Sequence, residues 1–243
     1  MTTMIDAAPE VRDRLALPLD VGDLDAALAM AQRVAPGFGI AKVGYELYAE
    51  AGPVAFDRLH DLGFTVFCDL KLHDIPNTVE RGAAALARHG VRFMNAHAAG
   101  GSEMLRAFVA GAGRGAEEAG LPTPVTLAVT VLTSDADASA FEARLAVARD
   151  AGCAGVVCSG WELDRVGASG LRSMVPGIRP AGASADDQSR IMTPGAAIRA
   201  GADWLVIGRP VTAASDPEAA AAAIATEVAT ALWSEREPKR GDG

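Results

Sequence analysis

The sequence is short of cysteine, of basic charge and of long apolar runs, and each shortage excludes a class of protein. Cys68, Cys153 and Cys158 are odd in number and none stands at C-x-x-C spacing, which excludes a disulfide framework and a compact redox or zinc motif. They read as small core hydrophobes. Lys and Arg number 22 against 31 Asp and Glu, a formal net charge of −9, so the surface repels phosphate backbones and anionic lipid headgroups. Neither nucleic acid nor a membrane is expected as a partner. An anionic metabolite stays compatible, because a few cations in a cleft override a distant negative surface. The first residues, MTTMIDAAPEVRDRLALPLD, carry acids where a secretion signal has a basic region and an apolar stretch, and no later segment suits a bilayer span. A cytoplasmic location is expected.

What the chain does have is half hydrophobic residues and 26 glycines in 243, enough for a sizeable core in one large domain or two small ones. Short apolar runs that end in polar residues alternate throughout with Ala/Leu-rich stretches carrying charges at helical spacing. Eight strands are expected, at 15–20, 39–43, 64–71, 91–97, 125–130, 154–159, 173–176 and 203–208. Helix punctuation lies between them: Asn77 after Pro76 as a cap, Gly90 as a stop, and Thr193-Pro194 as a cap followed by proline at the first helical position. Eight strand-helix units without a linker suit a closed (β/α)8 barrel forming one domain over 1–243, with flexible tails at about 1–12 and 235–243. The alternative, an open doubly wound sheet, lacks its glycine-rich fingerprint, since the first strand runs into Leu19-Asp20-Val21-Gly22-Asp23. Ala112 to Pro124 and Arg179 to Met192 read as irregular, the second lying where barrel enzymes place functional loops.

Buried parallel strands should be apolar, so charges at their C-terminal ends need a reason. Here stand Asp20, Lys42, Asp69 and Lys71. Asp69 and Lys71 are two apart in FTVFCDLKLHDIPNT and so face the same way, into the barrel mouth. Asp74 lies past the strand and reaches the same mouth or a neighbouring subunit's. An isolated Asp-x-Lys is most simply an ion pair that fixes a loop, but Lys42 and Asp20 converge on the same rim. Carboxylates flanking a lysine favour its charged form, which makes it a proton donor and not a Schiff-base nucleophile. A divalent metal on Asp20, Asp69 and Asp74 would have to sit beside two ammonium groups, so no metal is expected.

After the eighth strand comes Val206-Ile207-Gly208-Arg209-Pro210, where this kind of barrel grips phosphate. Glycine permits close approach of the backbone N–H, and arginine binds two oxygens at once. Gln188 and Arg179 are placed to close over the same anion. His97 reads as a hydrogen-bonded rim histidine, and His60, His73 and His89 as surface or helix-end residues. Thr133 and Ser134 suit either a planar ring or the cap of the next helix.

Taken together, DLKLHDIPNTV, LPLDV, AKVGYELY, NAHAAGG, VTVLTS, PGIRP, DDQSRIMTPGAAIRAGAD and LVIGRPVTAASDP resemble, in order, the segments of the orotidine 5′-phosphate decarboxylase family. The resemblance covers nearly the whole chain, and Pro18, where a small aliphatic residue is expected, is the one noted departure. It implies a cofactor-free, metal-free barrel homodimer that converts orotidine 5′-phosphate to uridine 5′-phosphate and carbon dioxide. By that resemblance Lys42, Asp69, Lys71 and Asp74 form an alternating charge array, Asp74 coming from the partner subunit, and Lys71 protonates C6 of the pyrimidine. Asp20, Lys42 and the partner subunit's Thr78 hold ribose hydroxyls, Ile75 contacts substrate, Thr133 and Ser134 meet the pyrimidine, and Gln188, Gly208 and Arg209 take the phosphate with Arg179 nearby. The rival readings are a magnesium-dependent barrel acting on sugar phosphates, against which Lys42 argues, and a catalytically dead nucleotide binder, against which the intact charge array argues.

Overall fold

The structure, a computed structural model, describes residues 7–132, 139–181 and 192–234. Eight strands close into one barrel in chain order: β1 Leu15–Pro18, β2 Ile40–Val43, β3 Thr65–Leu72, β4 Phe93–His97, β5 Val125–Val129, β6 Gly155–Val157, β7 Arg172–Val175 and β8 Trp204–Val206. Every pairing is parallel, and β1 meets β8 through Leu15–Leu205 and Ala16–Val206 to close it. Helices follow the strands, so the fold is the (β/α)8 barrel that the alternation of the sequence predicts.

Period-two alternation divides the strand residues between two cores. Ala16, Ile40, Phe67, Phe93, Leu127, Met174 and Val206 fill the barrel interior. Their chain neighbours Leu15, Leu17, Ala41, Val66, Cys68, Met94, Ala128 and Leu205 pack outward with Leu28, Phe56 and Phe108 of the surrounding helices. Phe67 and Phe93 meet edge to face at 6.1 Å, and each ring so buried contributes about 1.5–3 kcal/mol. Counting on from these inward residues by twos gives Pro18 and Asp20 after Ala16, Lys42 after Ile40, Asp69 after Phe67, Asn95 and His97 after Phe93, and Gly208 after Val206. The polar residues at the mouth are thus the inward face of the barrel continued past its apolar filling.

Three local expectations are corrected. Ala112 to Glu118 is not irregular but the end of the helix Gly101–Glu118, and its glycines serve contact with the helix Pro76–Ala87. A Cβ on Gly111 would lie 2.2 Å from the Glu80 carbonyl oxygen, and one on Gly115 2.1 Å from that of Ala84. The cap of the helix Pro76–Ala87 is Ile75, not Asn77, because proline takes the first helical position and holds the residue before it extended. Gly90 lies beyond that helix, at φ 74° in the turn that follows it. Thr193 caps as expected, accepting from the Ala196 N–H. Within the stretch expected as an N-terminal tail, Pro9–Arg12 forms a helical turn and Val11 is fully buried. Of the expected loop 179–192, residues 182–191 lie outside the described residues, and Ile178 bridges Met192 across them.

Candidate active site

Asp69 is the centre of the charge cluster. Its Oδ1 accepts from Lys71 Nζ at 2.7 Å and from Asn95 Nδ2 at 2.7 Å, while its Oδ2 lies 3.1 Å from Lys42 Nζ. Lys42 Nζ also donates to Asp20 Oδ1 at 3.0 Å. The order Asp20, Lys42, Asp69, Lys71 therefore alternates in sign through direct contacts, and Asp69 and Lys42 are each only 8% exposed.

Burial by itself would lower the pKa of Lys42, but Asp69 and Asp20 outweigh it and leave the ammonium above its ordinary value. For Asp69 burial pushes upward, yet Lys42, Lys71 and the hydrogen bonds from Lys71 and Asn95 hold the carboxyl below its ordinary value. Both groups are charged at neutral pH, as expected for lysines and carboxylates that flank one another. Cys68, next to Asp69 in the chain but facing the outer core, is pushed up to about 12 by burial and the adjacent carboxylate, so it is an inert thiol.

Lys71 has φ 45°, the one non-glycine residue with positive φ among the described residues. That conformation is disfavoured by about 1–2 kcal/mol for an L-residue. It belongs to an irregularity in the sheet: Cys68 pairs with Met94 and Leu72 with Ala96, so β3 advances four residues while β4 advances two. The intervening segment carries both Asp69 and Lys71.

Two clefts open at the mouth. Pro18, Asp20, Lys42, Arg179, Gly208 and Arg209 line the first, so the expected ribose and phosphate groups are brought together. Tyr45, Lys71, His73, Asp74, Thr78 and His97 line the second. Asp74 does not join the charge array of its own chain: among the described residues it forms no ion pair, and its Oδ1 accepts the Ile75 N–H at 2.6 Å. Ile75 is 65% exposed although apolar. Thr133, Ser134 and Gln188 lie outside the described residues. Among the described residues no three His, Cys, Asp or Glu side chains are grouped to hold a metal ion. Asp20 and Asp69 are both engaged by Lys42.

His97 lies at the rim as expected, though its side chain makes no hydrogen bond among the described residues, while His73 sits differently from expectation. His97 meets the His73 ring at 5.4 Å between centroids, a ring contact and not a hydrogen bond, so His73 belongs to the site's rim and is not a detached surface residue. Burial, then His73, Lys71 and Arg144, hold the His97 imidazole below its usual pKa against the pull of Asp69.

Three residues of the site escaped the sequence reading. Asn95 has the clearest signal, a carboxamide inside the apolar strand FMNAH; it is 1% exposed. Gly44 permits the Asp20–Lys42 pair, since a Cβ there would be 2.8 Å from Asp20 Oδ1 and 3.2 Å from Lys42 Nζ. Tyr45 donates its hydroxyl to the Leu70 carbonyl at 2.8 Å and has its ring 6.0 Å from Lys71 Nζ.

Comparison with known proteins gives the chain's family. Residues 13–224 match the family model described as "Orotidine 5'-phosphate decarboxylase / HUMPS family". A protein of Moorella thermoacetica named orotidine 5′-phosphate decarboxylase is 47% identical over 233 residues, covering 89% of this chain and 92% of its own. One of the same name from Anaeromyxobacter dehalogenans is 48% identical over 231 residues, covering 88% and 97%. The crystal structure of orotidine 5′-phosphate decarboxylase from Lactobacillus acidophilus superposes with a TM-score of 0.76 at 35% identity, covering 89% of this chain and 99% of that one. The chain belongs to the orotidine 5′-phosphate decarboxylase / HUMPS family.

Proposed function

We propose that this chain decarboxylates orotidine 5′-phosphate to uridine 5′-phosphate and carbon dioxide, the last step of pyrimidine nucleotide synthesis. The observation that carries the reading is Asp69 held between Lys42 and Lys71 at the mouth of the barrel, beside a cleft that holds Arg179 and Arg209. The relatives' names supply the substrate.

Loss of carbon dioxide breaks the bond from C6 and leaves its electron pair in an in-plane orbital that the ring π-system does not delocalise. An ammonium fixed beside C6 stabilises that charge where it develops. Lys71 is the group for this role: it is partly open to the cleft, it is aimed by Asp69, and it can pass a proton from Nζ to C6 as the product forms. Lys42 keeps Asp69 ionised and, with Asp20, faces the ribose hydroxyls. Gly208, Arg209 and Arg179 face the phosphate, joined in this reading by Gln188, with Thr133 and Ser134 on the pyrimidine. Binding energy from the remote phosphate then serves to hold the reacting ring against Lys71.

The active unit is a homodimer in which the partner subunit's Asp74, Ile75 and Thr78 complete the site. Support for this comes from Asp74 standing apart from the lysines of its own chain and from exposed Ile75 and Tyr45 beside it. The enzyme acts as a single barrel domain without cofactor or metal, since the two ammonium groups supply the positive charge a cation would bring. It works in the cytoplasm, consistent with three buried unpaired thiols. Among the described residues no helix is long and apolar enough to cross a membrane.

An ultraviolet absorbance assay with orotidine 5′-phosphate, run with and without EDTA, tests the reading. Turnover insensitive to EDTA is expected. Activity abolished by EDTA and restored by magnesium would instead point to sugar-phosphate chemistry, and binding without turnover to a dead barrel.

A further inference from the structure

We infer that Asn95 is a positioning residue for the decarboxylation, its two amide ends fixing Lys71 and Asp69 in one rigid geometry. The inference rests on the function proposed above and adds a residue to it. In a regular parallel ladder the Lys71 N–H would bond to the main chain of a neighbouring strand. The irregularity between Cys68 and Leu72 takes that partner away, because four residues of β3 there face only two of β4. Asn95 Oδ1 replaces it, accepting the Lys71 N–H at 2.7 Å. The opposite end of the same amide donates from Nδ2 to Asp69 Oδ1 at 2.7 Å, and that oxygen in turn accepts from Lys71 Nζ.

One side chain therefore holds the reactive lysine at its backbone and, through Asp69, at its ammonium. A planar amide has no freedom to turn one end without the other. Asn95 is 1% exposed and sits on β4, so its own position is set by the barrel and not by a loop. Its Nδ2 hydrogen bond also belongs to the contacts that keep Asp69 ionised. A hydrophobic residue of similar size would leave the Lys71 N–H unpaired in a partly buried position, with its left-handed φ unsupported.

Four measurements on this chain test the assignment. In Asn95→Ala the rate of decarboxylation at saturating orotidine 5′-phosphate should fall on the order of 100-fold, as for a small misplacement of a reacting group. Affinity for the product uridine 5′-phosphate should change by no more than about threefold, because the phosphate and ribose contacts stay intact. Asn95→Asp keeps an acceptor for the Lys71 N–H but sets two carboxylates against each other. One of them then titrates well above the ordinary range. Its rate should rise as the pH is lowered and a proton restores the donor to Asp69, a response the parent protein lacks over the same range.

The fourth measurement needs neither turnover nor ligand. Carbon-13 titration of Asp69 in the unliganded protein should show its carboxyl moving upward in Asn95→Ala. A parent chain that does not decarboxylate would sink the proposed function yet leave this titration to decide the role of Asn95. Unchanged turnover in Asn95→Ala, equal losses of turnover and product affinity, or an unmoved Asp69 titration would each overturn the assignment.

Discussion

Gly208 and Pro18 face each other across the seam where β8 closes on β1, and a Cβ on Gly208 would lie 2.8 Å from Pro18 Cγ. Gly208 has φ −99° and ψ −101°, so its backbone is not left-handed, and Pro18 Cγ is what an added Cβ would meet. Pro18, which stands where a small aliphatic residue is expected, thus borders the residue expected to meet phosphate. Gly208→Ala should push the following turn, with Arg209, away from the cleft and weaken binding of uridine 5′-phosphate by about 1–3 kcal/mol, as overpacking does. Pro18→Ala removes Cγ, and the double variant should recover at least half of that loss. A titration in which the two losses simply add would show that the seam does not couple to phosphate binding.

Arg209 itself should matter through binding. Arg209→Ala is expected to lower kcat/KM by about 2–4 kcal/mol in transition-state terms, the range for removing a charge-assisted bidentate grip on a remote group. Steady-state kinetics giving an unchanged kcat/KM would remove Arg209 from the site.

Gly111 and Gly115 show where sequence reading misplaced its punctuation. Glycine between helical stretches reads as a break, but two glycines four apart also make a groove for another helix, and nothing local distinguishes the two. Only the approach of the helix Pro76–Ala87 does so. Gly115→Ala raises intrinsic helix propensity yet should destabilise the protein by about 1–3 kcal/mol through the Ala84 carbonyl. Urea unfolding that gives equal or greater stability for the variant would contradict the packing.

The barrel and the core of the charge cluster are legible because strands repeat every two residues, which places Phe67 and Asp69 on one face; Lys71 reaches the same mouth through its contact with Asp69, although the sheet irregularity interrupts that period. Asn95 was not recognised because its function depends on a shift in pairing between β3 and β4, and pairing is a relation between segments far apart in the chain. Gly44 and the ring contact of His73 with His97 were hidden likewise, each being explained only by a residue on another strand or the loop that follows it.

The array also makes stability depend on pH in a definite direction. The folded pKa of Asp69 lies below its unfolded value, so the stability it confers is complete above the ordinary carboxylate value of about 3.9 and is lost as the pH falls through the folded value. Lys42 behaves in the opposite sense: raised above its ordinary 10.5, it contributes fully below that value and loses its contribution as the pH rises beyond it. Between these limits the array adds no slope. As the pH falls below about 4, towards the folded value of Asp69, the native chain should lose stability relative to Asp69→Asn, which lacks the titrating group. Urea midpoints that decline in parallel for both proteins would show that Asp69 is not held in its charged form by folding.

The final prediction concerns which chain supplies Asp74. Its carboxylate bonds to the next N–H in its own loop, while Lys71 of the same chain is already paired with Asp69. If the partner subunit's Asp74 completes the array, Lys71→Ala and Asp74→Ala should each be nearly inactive alone, because groups that act as a unit fail together. When the two variants are mixed under conditions that exchange subunits, a heterodimer holds one site with both defects and one with neither. Half of the sites in each heterodimer are then intact, and decarboxylation should return in proportion to heterodimer formed. Exchange can be followed independently by native mass spectrometry of one isotopically labelled variant. A mixture that has demonstrably exchanged and still fails to turn over orotidine 5′-phosphate would place the whole site within one chain.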